Sequence, residues 1–84
     1  MIIAWAENAW DDYLYWQKID KKILKRINDL VKDIKRHPFE GLGSPEPLKH
    51  SWSGYWSRRI NKEHRIVYKF KDKTLFIAQC RYHY

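Results

Sequence analysis

Ile23-Leu24-Lys25-Arg26-Ile27-Asn28-Asp29-Leu30-Val31-Lys32-Asp33-Ile34 carries the clearest structural signal in the chain. Its apolar residues are Ile23, Leu24, Ile27, Leu30, Val31 and Ile34. They recur at the spacing of one α-helical face. Burying six such side chains contributes roughly 10 kcal/mol as an upper estimate. Lys22, Lys25, Arg26, Asp29, Lys32, Asp33 and Arg36 form the opposite, solvated face. Asp20 is the expected N-cap. His37-Pro38 ends the helix, because proline disfavours helical geometry in the residue before it. A helix with one apolar stripe needs a second layer to cover it.

Working outward, Ile2-Ile3-Ala4-Trp5 is short, apolar and partly β-branched, and reads as a strand. Over residues 7–18 the apolar set Trp10, Tyr13 and Leu14 recurs at helical spacing. Gly41, Gly43, Pro45 and Pro47 punctuate a loop over residues 38–53. Three stretches of period-2 character follow, at 55–60, 65–70 and 74–82. The expected fold is α+β, with two N-terminal helices packed on a small twisted, mainly antiparallel sheet.

Burial selects a register. Trp56 and Ile60, then Ile66, Tyr68 and Phe70, then Phe76, Ala78 and Cys80 make one apolar face. This needs an odd turn around Lys62 and a three-residue turn at Lys71-Asp72-Lys73, since a one-residue slip would split the face. Arg58 shares that parity and is expected near an edge. The other parity collects Arg59, Arg65, Gln79, Arg81 and His83, together with Tyr55, Val67 and Ile77.

Eighty-four residues suffice for one domain, spanning 1–84, and not for two. Seventeen Lys and Arg against ten Asp and Glu give a charge of +7, which attracts polyanions, with nucleic acid the first candidate and an acidic protein the second. The membrane is a weaker fit, because no helix sets a Lys-rich face against a Trp/Phe face. Aromatic residues make up 17%, more than a small core needs, so some rings are expected at a contact surface. Cys80 is the sole cysteine, which excludes an intramolecular disulfide. Met1 to Trp5 meets Glu7 too soon for a signal sequence, and the chain is expected in the cytoplasm.

No metal site or cofactor is expected. His37, His50, His64 and His83 lack ligand spacing, and Cys80 lacks a companion thiol. On the expected core parity Cys80 reads as a buried thiol. The cationic face is the better lead, since Arg59 and Arg65 can each grip a phosphate through paired hydrogen bonds. His83, flanked by Tyr82 and Tyr84, can protonate a leaving 5′-oxygen. A base is also required. Glu46, between Pro45 and Pro47, is the candidate, with Lys49 adding charge nearby. His50 stands as a rival acid or base. This inventory suits RNA cleavage, in which the 2′-hydroxyl attacks the neighbouring phosphorus. Charge and aromatics alone suit a module that binds nucleic acid without cutting it.

Several segments together carry a resemblance that runs the length of the chain. They are residues 9–16, Pro38-Phe39-Glu40-Gly41, Pro45-Glu46-Pro47-Leu48-Lys49-His50, residues 53–60, Glu63-His64-Arg65 and Cys80-Arg81-Tyr82-His83-Tyr84. The sequence resembles the YoeB toxins, within the RelE-like mRNA interferases of bacterial type II toxin–antitoxin systems. The resemblance implies a microbial-ribonuclease-like fold and metal-independent cutting of mRNA in the ribosomal A site. It implies Glu46 as general base, His83 as general acid and Arg65 as stabiliser of the transition state. Lys49, Arg59 and Arg81 would bind substrate, and Tyr84 would hold the nucleotide. It further implies a homodimer, a YefM-type antitoxin and operator DNA bound through the toxin–antitoxin complex. The related ParE toxins share the fold but act on gyrase and need no acid–base pair.

Overall fold

The computed structural model describes residues 1–83. Strand β1 (Ile2–Trp5) leads into helix α1 (Glu7–Ile19) and helix α2 (Lys21–Arg36). A two-residue strand β2 (Glu46–Pro47) and a 3-10 turn (His50–Trp52) follow, then β3 (Trp56–Arg59), β4 (Arg65–Lys71) and β5 (Thr74–Gln79). The sheet order is β1-β5-β4-β3-β2. β1 runs parallel to β5, and the other pairs are antiparallel. This is the expected α+β architecture. The segment 38–53 is less irregular than expected, since it contains β2 and the 3-10 turn.

Helix α2 forms as its sequence dictates. The Asp20 carboxylate accepts from the amides of Lys22 and Ile23, and His37 caps the other end. Ile27, Leu30 and Ile34 are fully buried. Helix α1 departs from expectation. Its buried residues are Ala9 and Trp16, whereas Trp10 and Leu14 are exposed. Trp10 instead stacks on Tyr13 and meets Trp5 edge-on at the rim. Polar residues on the packing face hid the true stripe. Asn8 donates to the carbonyl of Ala78, and Asp12 accepts from the amide of Cys80.

The sheet register also differs from expectation. The β4–β5 turn has two residues, not three, because Lys71 pairs with Thr74. Asp72 and Lys73 both adopt positive φ, at 52° and 60°, the geometry of a type I′ hairpin. The usual signature of that turn is Asn-Gly, so Asp-Lys gave little warning. Leu75 and Ile77 therefore face the core in place of Phe76 and Ala78. A bulge opposite Val67/Tyr68 leaves Ala78 unpaired and returns Cys80 to the core side. The five-residue turn before β4 is odd, as expected.

Arg58 lies at the centre of the packing, not near an edge. It is completely buried on the helix side of β3. Its guanidinium pairs with Asp33 of α2 and donates to the carbonyls of His37, Glu40 (2.8 Å) and Leu42 (3.2 Å). Its Nε donates to the Tyr68 hydroxyl at 3.1 Å, and that hydroxyl donates to the Pro38 carbonyl. The loop after α2 is thus wrapped around one cation. Gly41 and Gly43 allow the close approach. A Cβ at Gly41 would lie 2.2 Å from the Asp33 carboxylate, and one at Gly43 would lie 3.0 Å from the Arg59 carbonyl. Both glycines also hold positive φ.

The amide of Leu42, then the Arg58 guanidinium, hold the Asp33 carboxyl below its ordinary pKa of 3.8. A depressed folded-state pKa means that this stabilisation is present above the unfolded value and lost as pH falls through the folded one. Asp33→Ala leaves Arg58 as a buried, unpaired cation, and the expected loss is about 3–5 kcal/mol. Urea unfolding of both proteins at pH 7 measures it. The gap between them should narrow in strong acid, where the wild-type carboxyl is itself protonated.

Candidate active site

The site lies on the sheet face turned away from the helices. Glu46 sits in edge strand β2 between two prolines, where the missing proline N–H groups leave no ladder bond unmade. Directly opposed residues share a face. Glu46 opposes Ser57, Ser57 opposes Val67, and Val67 opposes Gln79. Two positions further along the strands, Arg59 opposes Arg65 on the same face. From strand geometry the Glu46 backbone lies roughly 8 Å from Arg59 and roughly 12 Å from Arg65.

Lys49 and His50 lie with Glu46 around an open cleft of about 430 Å³ that reaches Trp52. His50 therefore stays within the neighbourhood of the carboxylate. A second open cleft, of about 400 Å³, is lined by Arg26, Arg59, Ile60, Asn61, Lys62 and Arg65. Arg26 and Lys62 were not expected here. Arg26 reads as solvated helix surface, yet its guanidinium donates to the Arg59 carbonyl at 3.2 Å. Only the crossing of α2 over the β3–β4 turn brings them together, and no local pattern records that crossing.

The segment after β5 is bound through its backbone. Trp16 Nε1 donates to the Cys80 carbonyl at 2.8 Å, and the Cys80 amide donates to Asp12 at 3.1 Å. The Tyr82 amide donates to His64 Nδ1 at 2.7 Å, and the Arg65 amide donates to the Tyr82 carbonyl at 2.9 Å. His83, exposed, is therefore the residue following a peptide bonded to Arg65. The structure brings Glu46, Arg59 and Arg65 to one side of the sheet, with Lys49 at its border and His83 next to the residue that the Arg65 amide binds. Tyr84 lies outside the described residues.

Arg81 is a correction. Expected beside Arg59 and Arg65, it turns to helix α1, its guanidinium 3.6 Å from the centroid of the Tyr15 ring. Cation–π attraction and the nearby Asp12 carboxylate account for the choice. Burial raises the Asp12 pKa against the opposing pull of the Cys80 amide and Arg81. Among the described residues no group of three or more His, Cys, Asp or Glu is placed to hold a metal ion.

A family model of the YoeB-like toxins of bacterial type II toxin–antitoxin systems matches residues 5–84. The chain belongs to this family. The Escherichia coli K12 toxin YoeB is 63% identical over 84 residues, covering 100% of both chains. A YoeB/ParE toxin from Agrobacterium tumefaciens superposes with a TM-score of 0.96 at 50% identity, covering 100% of both chains. Staphylococcus aureus YoeB has been solved in a YoeB–YefM complex (TM-score 0.93, 48% identity) and as a dimer (0.94, 49%). Each of these covers 100% of this chain and 98% of the other. The chain is thus a YoeB-like toxin with a RelE-like α+β fold. No helix among the described residues is long and apolar enough to cross a membrane.

Cys80 of this YoeB-like toxin is fully buried, and burial, helped by the Asp12 charge, pushes its thiol up to about 12. The thiolate is the reactive species. Iodoacetamide at pH 8 should leave Cys80 unmodified in the folded toxin and alkylate it in urea, as read by intact-mass spectrometry. Rapid alkylation of the folded protein would contradict the burial.

Proposed function

We propose that this toxin is a ribosome-dependent endoribonuclease that cuts mRNA in the ribosomal A site. The observation that carries the reading is the shared sheet face of Glu46, Arg59 and Arg65, with His83 joined to it through the Arg65–Tyr82 hydrogen bond. A carboxylate, an imidazole and guanidiniums around one phosphate are the groups that 2′-hydroxyl attack requires. Glu46 takes the 2′-hydroxyl proton, and the 2′-oxygen attacks the neighbouring phosphorus. His83 gives a proton to the departing 5′-oxygen. The products are a 2′,3′-cyclic phosphate and a 5′-hydroxyl, with no metal taking part. Arg65 offsets the charge that builds on the phosphorane-like transition state. Lys49 and Arg59 hold phosphate, and Tyr84 holds the nucleotide. Arg26 and Lys62 extend the cationic track along the RNA backbone. Arg81, by contrast, anchors the segment that carries His83.

The same reading covers the partners. The +7 charge suits ribosomal RNA and the acidic segment of an antitoxin. A YefM-type antitoxin is the proposed cognate, supported by the YoeB–YefM complex of the Staphylococcus aureus relative. A homodimer is supported by that relative's dimer and by exposed apolar side chains such as Ile2, Trp10 and Ile19. The toxin–antitoxin complex would bind operator DNA. The toxin acts as a single domain in the cytoplasm.

Acid and base catalysis each contribute roughly 10²–10⁴ in rate. Glu46→Ala and His83→Gln should each reduce mRNA cleavage on programmed ribosomes by that order, with folding unchanged by circular dichroism. Primer extension reads the new 5′ ends. Full cleavage by both variants would sink the role assignment. Translation arrest by the wild type with no new 5′ ends would point to a binding module instead.

A further inference from the structure

We propose that His64 is a positioning residue, whose neutral Nδ1 fixes the direction in which His83 leaves the sheet. This rests on the reading of His83 as the general acid.

The imidazole is held from several sides. The His64 amide donates to Asn61 Oδ1 at 2.8 Å, and its carbonyl accepts from the amides of Ile60 and Asn61. The Trp16 indole packs edge-on against the ring, with centroids 4.8 Å apart. So placed, Nδ1 accepts the Tyr82 amide at 2.7 Å. The next residue, Arg65, donates its own amide to the Tyr82 carbonyl at 2.9 Å. Both polar groups of the Tyr82 backbone are thus gripped by consecutive residues where the turn enters β4.

That grip has work to do, because Tyr82 has a φ of 67°. A non-glycine residue rarely holds the left-handed region unless its surroundings impose it. The Tyr82 ring, though largely exposed, lies against the His64 ring with centroids 5.9 Å apart and under the Arg81 guanidinium, so His64 meets both the backbone and the ring of Tyr82. Without the Nδ1 acceptor, φ is free to relax to the ordinary negative range. That rotation would swing the following residue, His83, away from its present direction. The same Trp16 indole that supports His64 also bonds the Cys80 carbonyl, so one side chain of α1 steadies both halves of the device.

Accepting the amide requires Nδ1 to be unprotonated, with the ring proton on Nε2. A protonated ring would turn a donor toward the Tyr82 N–H and break the bond.

The test is amide hydrogen exchange at Tyr82, read by NMR on the full-length toxin and on two variants. In His64→Asn the side-chain Oδ1 takes the place of Nδ1 and cannot be protonated. In His64→Leu no acceptor remains. His64→Leu should lower Tyr82 protection roughly tenfold, the worth of about one net hydrogen bond. His64→Asn should keep it. Cleavage on programmed ribosomes should fall at least tenfold in His64→Leu and recover in His64→Asn. Equal Tyr82 protection in wild type and His64→Leu would overturn the proposal. If His64→Leu does not fold, Tyr82 protection lost in His64→Asn would overturn it. The exchange readout needs no catalysis, so a toxin that cuts nothing would refute the nuclease reading and leave this test intact.

Discussion

A guanidinium with no exposure to water has to be answered by protein groups alone. Arg58 meets that constraint with Asp33, three backbone carbonyls and the Tyr68 hydroxyl. Few arrangements of the chain can do so. The end of α2 must supply the His37 carbonyl, and the following loop must fold back to present Glu40 and Leu42. Two glycines are needed where that loop crosses the ion pair. Breaking such a pair costs far more than the pair contributes in net stability. The loop it wraps then delivers the chain to β2, and with it Glu46.

The helix side and the opposite side of the sheet divide the labour. Helix α1 spends Asn8, Asp12 and Trp16 on the backbone of residues 78–80, and Tyr15 on Arg81. These contacts hold the segment after β5 without using the face that carries Glu46, Arg59 and Arg65. The proposed acid is thus borne by a short segment anchored behind the sheet at Cys80 and Arg81, and held at Tyr82 by His64 and Arg65. Arg65 joins the two sides, because its amide binds Tyr82 while its side chain borders the cationic cleft.

Much of the fold was legible in the sequence, and the misses have physical causes. Helix α2 could be read because its stripe is apolar and its ends carry Asp20 and Pro38. Helix α1 was misread because Asn8 and Asp12 face inward to bind backbone, which no hydropathy count detects. The Asp72-Lys73 turn lacks the glycine that usually marks positive φ, so Leu75 and Ile77 were set one residue out of phase. The bulge at Ala78 then restores Cys80 to the core side, where its parity also put it. Arg58 looked like an edge residue since its five partners come from distant or irregular segments. At the candidate site, strand parity put Arg59 and Arg65 on one face, and the structure adds Glu46, read from its place between two prolines, to that face. Parity misplaced Arg81, because it ends where β5 does and an aromatic ring captures the side chain. Arg26 and Lys62 depend on how a helix crosses a turn, and that is decided by packing.

The central claim is that the 2′-hydroxyl of the RNA is itself the nucleophile. An mRNA carrying one 2′-deoxynucleotide at the cut position of the A-site codon tests it most directly. On ribosomes programmed with toxin, this message should stay intact there, while the all-ribose message yields a 2′,3′-cyclic phosphate and a 5′-hydroxyl. Cleavage of the deoxy-substituted message at the all-ribose rate, or a 5′-phosphate on the product, would contradict it.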